Sequence, residues 1–449
     1  MADTRMESLF NEQKWEELQN LLTDKPSPEI AEMLSTMAKT HRVLLYHALP
    51  FPQSCEVFSY LEPDIQDSLL TELTDQEARE LLAKLRPDDR TVLLEDLPRQ
   101  TTMRLLNLLS PPDLIEARKL LGYPEESIGR LMTPDFVSVL PSWTIERALQ
   151  HIRRKGREAE TIGIIYVTDA QEKLLNALGL ERLVLAAPSA TIENIMDHSF
   201  VALAPEEDRE EAVRIMQKYD LFALPVVDTN GVLLGIVTAD DVFDVATEEA
   251  TEDIQKGAAV EPLKMSYREA SVWGLYRKRI PWLIGLVLVN LGASVVLAAY
   301  EEILTSAIAL VFFIPLLMAS GGNTGTQAAT LMVRALATED VKGSQWIKVL
   351  GKEFGVGSLL GITMGMGVGL IGVGRSDWSI GLAVGLATTA IVLVSNLIGV
   401  LFPVALNFFR IDPAVASSPM VTSTADVTSL LLYFSIATVI IGGGTGWWM

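Results

Sequence analysis

The chain has 449 residues, a formal net charge of -21, 49% hydrophobic residues and a mean hydropathy of +0.28. It is too long for one domain and too apolar for an ordinary acidic soluble protein. Residues before Met265 carry 48 Asp+Glu against 26 Lys+Arg, and the remainder 9 against 10, so the acidity and the apolarity belong to different parts of the chain. One cysteine, Cys55, excludes an intramolecular disulfide framework, and none of His41, His47, His151 and His198 lies in the apolar part, which argues against soft-metal chemistry.

The N-terminus, Met1-Ala-Asp-Thr-Arg-Met-Glu7, lacks a basic stretch followed by an apolar run. No signal peptide is therefore expected, and the acidic part is expected to stay in the cytoplasm. From Leu49 to Leu121 a leucine recurs every twelve residues, at Leu49, Leu61, Leu73, Leu85, Leu97, Leu109 and Leu121, punctuated by Glu62-Pro-Asp64, Thr74-Asp-Gln-Glu77, Arg86-Pro-Asp-Asp89 and Ser110-Pro-Pro-Asp113. Such a unit holds about two helical turns and a connection. That is too little to bury a face alone, so consecutive units should stack into a short helical solenoid.

A longer repeat follows. Leu131-Met-Thr-Pro-Asp-Phe-Val-Ser-Val139 matches Ile195-Met-Asp-His-Ser-Phe-Val-Ala-Leu203, and each copy runs through a polar helix start into an apolar strand ending in aspartate, Ile164 to Asp169 and Leu224 to Asp228. The second copy closes with Gly231 to Asp241, read as a turn, a strand and a helix start. These paired modules resemble tandem CBS domains, which implies sheets packed together and a small-ligand sensor. In that family a Gly-x-x-Ser/Thr-x-x-Asp pattern can hold the ribose and phosphate of an adenine nucleotide such as ATP. Gly235, Thr238 and Asp241 match it, whereas the first copy, Ala177 to Leu183, does not. The same threonine and aspartate would serve equally as an ordinary helix N-cap.

From Pro205 to Pro262 there are 15 Asp+Glu against 4 Lys+Arg. The predicted helix Ala239 to Asp253 sets Asp241, Asp244, Glu248 and Glu252 along one face, where like charges repel and divalent cations would relieve them. Each such carboxylate reads equally well as part of a solvated face.

Beyond it, apolar segments at about Ile280 to Ala299, Ala307 to Met332, Phe354 to Val373, Ser379 to Leu406 and Val421 to Gly444 each approach the twenty residues a helix needs to cross a bilayer. Arg277-Lys-Arg279, the loop with Arg334, Lys342, Lys348 and Lys352, and Arg410 mark the cytoplasmic ends. Five crossings then place Trp447-Trp448-Met449 outside. In the second segment Pro315 to Gln327 is rich in small and amide residues. Asn323 and Gln327, four apart, share a face, either bonding another helix or lining a polar path.

Asp426 lies mid-span in the last segment, among Thr422, Ser423, Thr424, Thr428 and Ser429. An ionisable group at that depth costs roughly 2.5–3.5 kcal/mol, so it is expected to serve an ion path. Its oxygen-rich surroundings favour a hard cation. One carboxylate with hydroxyls is too sparse to strip magnesium of its waters, so a largely hydrated ion fits best.

With Gly321-Gly-Asn-Thr-Gly-Thr-Gln327, Arg334-Ala-Leu-Ala-Thr338 and Asp426-Val-Thr428, the order of parts resembles the MgtE family of bacterial magnesium transporters over essentially the full length. The resemblance implies an all-α N-terminal helical repeat (1–128), α/β tandem CBS domains (129–246), an acidic connecting or plug helix (247–270) and a five-helix transmembrane domain (271–449). It implies a homodimeric, Mg2+-selective, multi-pass channel of the bacterial plasma membrane, not an enzyme and without a nucleic-acid partner, closed by cytoplasmic Mg2+.

The resemblance makes Asp426 the filter. It makes Asp208, Glu210, Asp220, Asp241, Asp244, Glu249, Glu252 and Asp253 regulatory ligands, with Asp88 or Asp89 placed by repeat phase only. Ser418, where the family can carry an asparagine, and Thr422, in place of a small apolar residue, depart from the pattern around the filter. Two other readings stay open: a membrane-tethered CBS sensor without transport, and a carrier or exporter of Mn2+ or Co2+. No Gly-x-x-x-x-Gly-Lys-Ser/Thr loop is present, so the drive is expected to be the membrane potential.

Overall fold

The structure, a computed structural model, describes residues 22, 25–263, 267, 270–338, 340–341, 345–415 and 418–442. The expectations resting on Met1 to Glu7, on Lys342 and on the C-terminal Trp447-Trp448-Met449 fall outside them. Two units are present, Met1–Glu249 and Ala250–Met449.

Among the described residues the first unit carries a run of short helices, α1 (Ser27–Thr36), α2 (Lys39–Ala48), α3 (Phe51–Ser59), α4 (Pro63–Glu72), α5 (Asp75–Leu82), α6 (Pro87–Asp96), α7 (Arg99–Leu106) and α8 (Pro111–Leu120). Their starts recur every twelve residues, the period of the leucines. Proline begins α4, α6 and α8, where a missing N–H costs nothing. A Thr74–Glu77 capping box begins α5. Leu49, Leu73 and Leu97 are the residues at which α2, α4 and α6 stop, and with Leu61 and Leu85 they are buried in one continuous core. Neighbouring units pack in alternation, α1 on α3, α2 on α4 and α6 on α8, as a repeat too short to bury its own face requires.

Next come α9 (Ile128–Leu131), β1 (Ser138–Val139), α10 (Ile145–Lys155), β2 (Ile164–Thr168), β3 (Leu174–Gly179) and α11 (Leu180–Leu185), followed by α12 (Glu210–Tyr219), β4 (Ala223–Val227) and β5 (Leu233–Thr238). β1 runs parallel to β2, and β2 antiparallel to β3. β4 and β5 repeat that hairpin, with Leu203 bridging Val226 in the place that β1 holds in the first copy. The aspartates closing the two strands do the same work: Asp169 Oδ1 accepts from the backbone of Gln171 and Lys173, and Asp228 Oδ1 from Asn230 and Val232. The copies join through bridges Thr133 to Ile236 and Lys173 to Val232, over a shared core of Tyr166, Leu174, Leu233 and Ile236.

The acidic helix is α13 (Ala239–Gly257). It starts directly after β5, where the predicted helix Ala239 to Asp253 begins, and runs on to Gly257. Ala259 adopts a left-handed φ of 57° and Pro262 follows, a combination that cannot continue a helix.

In the second unit α14 (Val272–Ala299), α15 (Glu301–Ser306), α16 (Ile314–Ala337), α17 (Trp346–Arg375), α18 (Trp378–Phe408) and α19 (Ser418–Ala437) follow. Among the described residues five spans are long and apolar enough to cross a membrane, at the five expected places. α17 and α18 meet along a stripe of small residues: a Cβ on Gly361 would lie 2.6 Å from the Thr389 carbonyl oxygen, and one on Gly372 would lie 2.7 Å from the Cα of Gly381. The Thr389 hydroxyl donates to the Gly361 carbonyl at 3.1 Å. Close approach of this kind gives helices in lipid their packing energy. At the 3-10 turn Ile308–Phe313, the buried Tyr433 hydroxyl donates to the Leu310 carbonyl at 2.9 Å.

Candidate metal sites

In the first unit Asp88 and Asp89 lie in the first turn of α6 and Asp241 in the first turn of α13. Folding brings them together. Asp88 is 4% exposed, and its carboxyl is held far above the usual carboxylate range by burial first and the Asp89 charge second, against Arg86. Burial raises Asp241 as well, with the Asp88 charge next, while a hydrogen bond from Thr238 Oγ1 at 2.8 Å opposes it. Asp89 is raised by burial, then lowered by Arg86 and raised by Asp240 and Asp244. Asp244 is raised by desolvation and by Glu248 and Asp240. Arg86 itself pairs with Glu160. The result is a set of carboxylates whose ionised form is under-compensated, the condition a cation relieves.

The neighbouring end of the acidic face is compensated internally. Arg209 forks onto Glu248 at 2.9 Å and Glu249 at 3.0 Å, so the predicted ligand Glu249 is held in an ion pair. Asp208 and Glu210 are exposed at the start of α12 and Asp220 is exposed at its end, in a left-handed conformation with φ 54°. Ten helical residues, about 15 Å of axis, separate them, so these three predicted ligands do not converge within one chain.

Of the nucleotide-matching residues, Gly235 is required by packing: a Cβ there would stand 2.8 Å from the Thr133 carbonyl oxygen. Thr238 and Asp241 are bonded to each other, the arrangement of a helix start. This geometry favours the capping reading of the three residues.

In the second unit Lys256 Nζ lies 2.6 Å from Glu252 Oε1 and 2.6 Å from Asp412 Oδ2. Asp412 is fixed in turn, its Oδ1 accepting from the Ala414 backbone at 2.8 Å. Burial lowers the Lys256 ammonium, but hydrogen bonds to Asp412 and Glu252 outweigh it and hold the group above its ordinary value. The Asp253 carboxyl is raised by desolvation and then by Asp412, against Lys256. Sequence reasoning missed Asp412. Its one local signal is an acid in Arg410-Ile-Asp-Pro413, just before the last span.

Asp426 is half-buried on α19. Among the described residues no hydrogen bond or opposite charge reaches it. Thr422, one turn earlier, shares a hydroxyl contact of 3.1 Å with Thr326 of α16 and packs over Gly322, where a Cβ would meet Thr422 Cγ2 at 2.9 Å. Gly325 makes a similar approach to the Ser395 carbonyl, so the glycine-rich run serves helix contact. Ser418 opens α19, two turns from Asp426. Asn323 and Gln327 are exposed and bond no other helix among the described residues. No group of three or more His, Cys, Asp or Glu side chains among the described residues is gathered as a ready metal site.

Three family models match the chain: "MgtE intracellular N domain" over 26–126, "CBS domain" over 128–188 and 192–248, and "Divalent cation transporter" over 314–436. The magnesium transporter MgtE of Thermus thermophilus is 41% identical over 330 residues, covering 73% of this chain and 72% of its own. That of Bacillus subtilis is 31% identical over 72% of this chain and 71% of its own. A crystal structure of the cytosolic domain of the Mg2+ channel MgtE in complex with ATP superposes with a TM-score of 0.51 at 34% identity, over 54% of this chain and 98% of that one.

Proposed function

Because the chain belongs to the MgtE family of magnesium transporters, we propose that it is a homodimeric, Mg2+-selective channel that cytoplasmic Mg2+ closes. The observation that supports the gating part is that Asp88, buried, and Asp89 and Asp241, half-buried, raise one another's carboxyls with too little positive charge beside them. Asp88, Asp89, Asp241 and Asp244 are the residues that would hold the regulatory ion. A divalent cation with oxygen ligands supplies the missing charge. When the ion is scarce these carboxylates repel, and the arrangement that closes the pore loses its support. Each ion shifts such an equilibrium only by its differential affinity for the two states, so several sites are needed.

In the pore, the uncompensated Asp426 attracts the passing ion, and a partner subunit's copy doubles the charge. The Thr422 hydroxyl, one turn before Asp426, and Thr326, in contact with it, would meet its water shell, with Ser418 two turns away. The reading places the channel in the bacterial plasma membrane with its amino-terminal domains cytoplasmic and its C-terminus outside. Binding of an adenine nucleotide is supported by the relative solved with ATP rather than by Gly235, Thr238 and Asp241.

Mg2+ uptake into proteoliposomes, measured at low and high Mg2+ on the cytoplasmic side, tests the reading. Uptake indifferent to that concentration refutes the gating part. Equal uptake of Mn2+ and Co2+ in competition refutes the selectivity.

A further inference from the structure

Building on the gating just proposed, we infer that Lys256 is a resident counter-cation at the foot of the acidic helix, one that a divalent cation must displace, and that it sets the Mg2+ concentration to which the channel responds. Its ammonium lies 2.6 Å from one oxygen of Glu252 and 2.6 Å from one oxygen of Asp412. These partners are 4 and 156 residues away, so the contact ties α13 to the turn before α19. All three side chains are partly buried, at 26%, 26% and 37% exposure.

The second Asp412 oxygen is committed to the Ala414 backbone, so the oxygen facing α13 is the one Lys256 holds. Glu252 and Asp412 share a single monovalent ammonium, and the Asp253 carboxyl feels the charge of Asp412, with Arg334 acting on it more weakly. The charge is only partly balanced. An ammonium donates hydrogen bonds to oxygens that a magnesium ion or its water shell would need as ligands or acceptors. The two cannot use the same oxygens at once. Occupation by the divalent ion therefore includes the loss of two charge-assisted hydrogen bonds, and its apparent affinity is lowered by their strength.

The test uses full-length protein and MgCl2. Two midpoints are read: Mg2+ inhibition of uptake in proteoliposomes, and Mg2+ protection of α13 against limited proteolysis. Lys256→Gln should move both to lower Mg2+ by roughly three- to tenfold, because the competitor is gone. Lys256→Arg should move both upward, since a guanidinium fork grips two carboxylates more firmly than an ammonium does. This second variant keeps the charge and serves if the first does not fold.

An unchanged or higher midpoint in Lys256→Gln, or a lower one in Lys256→Arg, overturns the displacement and leaves Lys256 a structural latch. Wild-type uptake that ignores Mg2+, with protection midpoints still shifting as stated, would sink the gating reading alone. Wild-type protein without Mg2+-dependent protection would overturn the displacement itself.

Discussion

Asp241→Asn should stabilise the first unit when divalent cations are removed. Asp88 is 4% exposed, and after burial its charge is the largest influence holding the Asp241 carboxyl up. For unit charges about 6 Å apart at an effective dielectric of about 20, the repulsion is about 3 kcal/mol. An amide at position 241 keeps the shape, can still accept from Thr238 and removes that repulsion. At roughly 2–4 °C per kcal/mol for a unit of this size, the first unfolding transition of the full-length protein should rise by about 5–10 °C at pH 8 in chelator.

The pH dependence has a definite sign. Both carboxyls are raised in the folded state, so their penalty is absent below the ordinary carboxylate range and fully present once pH has passed their folded values. Wild-type stability in chelator should therefore fall as pH rises through that window, and Mg2+ should remove the fall. Differential scanning fluorimetry across pH 4 to 8.5, with and without MgCl2, measures all of this. An Asn variant that melts no higher than wild type in chelator, or a wild type whose stability in chelator rises with pH over this window, refutes the reasoning.

Asp426→Asn should cut Mg2+ uptake roughly tenfold or more, since a single-sign charge in a narrow path concentrates its ion by 10–1,000-fold, while the melting profile stays that of a folded protein; unchanged flux would remove Asp426 from the path. Gly361→Leu forces side-chain atoms against the Thr389 carbonyl, 2.6 Å from where a Cβ would stand. It should cost about 1–3 kcal/mol or more, read as a lower melting temperature in detergent, whereas wild-type melting would show that α17 and α18 do not pack there. Tyr433→Phe leaves the Leu310 carbonyl without its 2.9 Å donor and should lower stability by about 1–3 kcal/mol, measured by the same melt. An isostable variant would mean that another donor replaces the hydroxyl.

The sequence by itself determined the elements whose cause is local. A leucine every twelve residues means helices of eight to ten residues, because nothing longer fits between the punctuating prolines and caps, and the structure starts a helix at each repeat. Runs of about twenty apolar residues mean spans, since only a helix satisfies its own backbone in lipid. Asp426 was conspicuous for the same reason: a charge stands out where every neighbour is apolar or hydroxylic.

Tertiary structure decided which charges meet. Asp88 faces Asp241 across 153 positions and Lys256 faces Asp412 across 156, and no spacing rule reaches that far. It also sorted the acidic residues into kinds that look alike along the chain: Glu249 is neutralised by Arg209, Asp220 is carried a helix length away from Glu210, and Asp241 is half-buried under the influence of a like charge. The physical reason is that helix and span formation depend on periodicity within a few turns. The ionisation of a carboxylate depends on burial and on the sign of whatever folding places beside it.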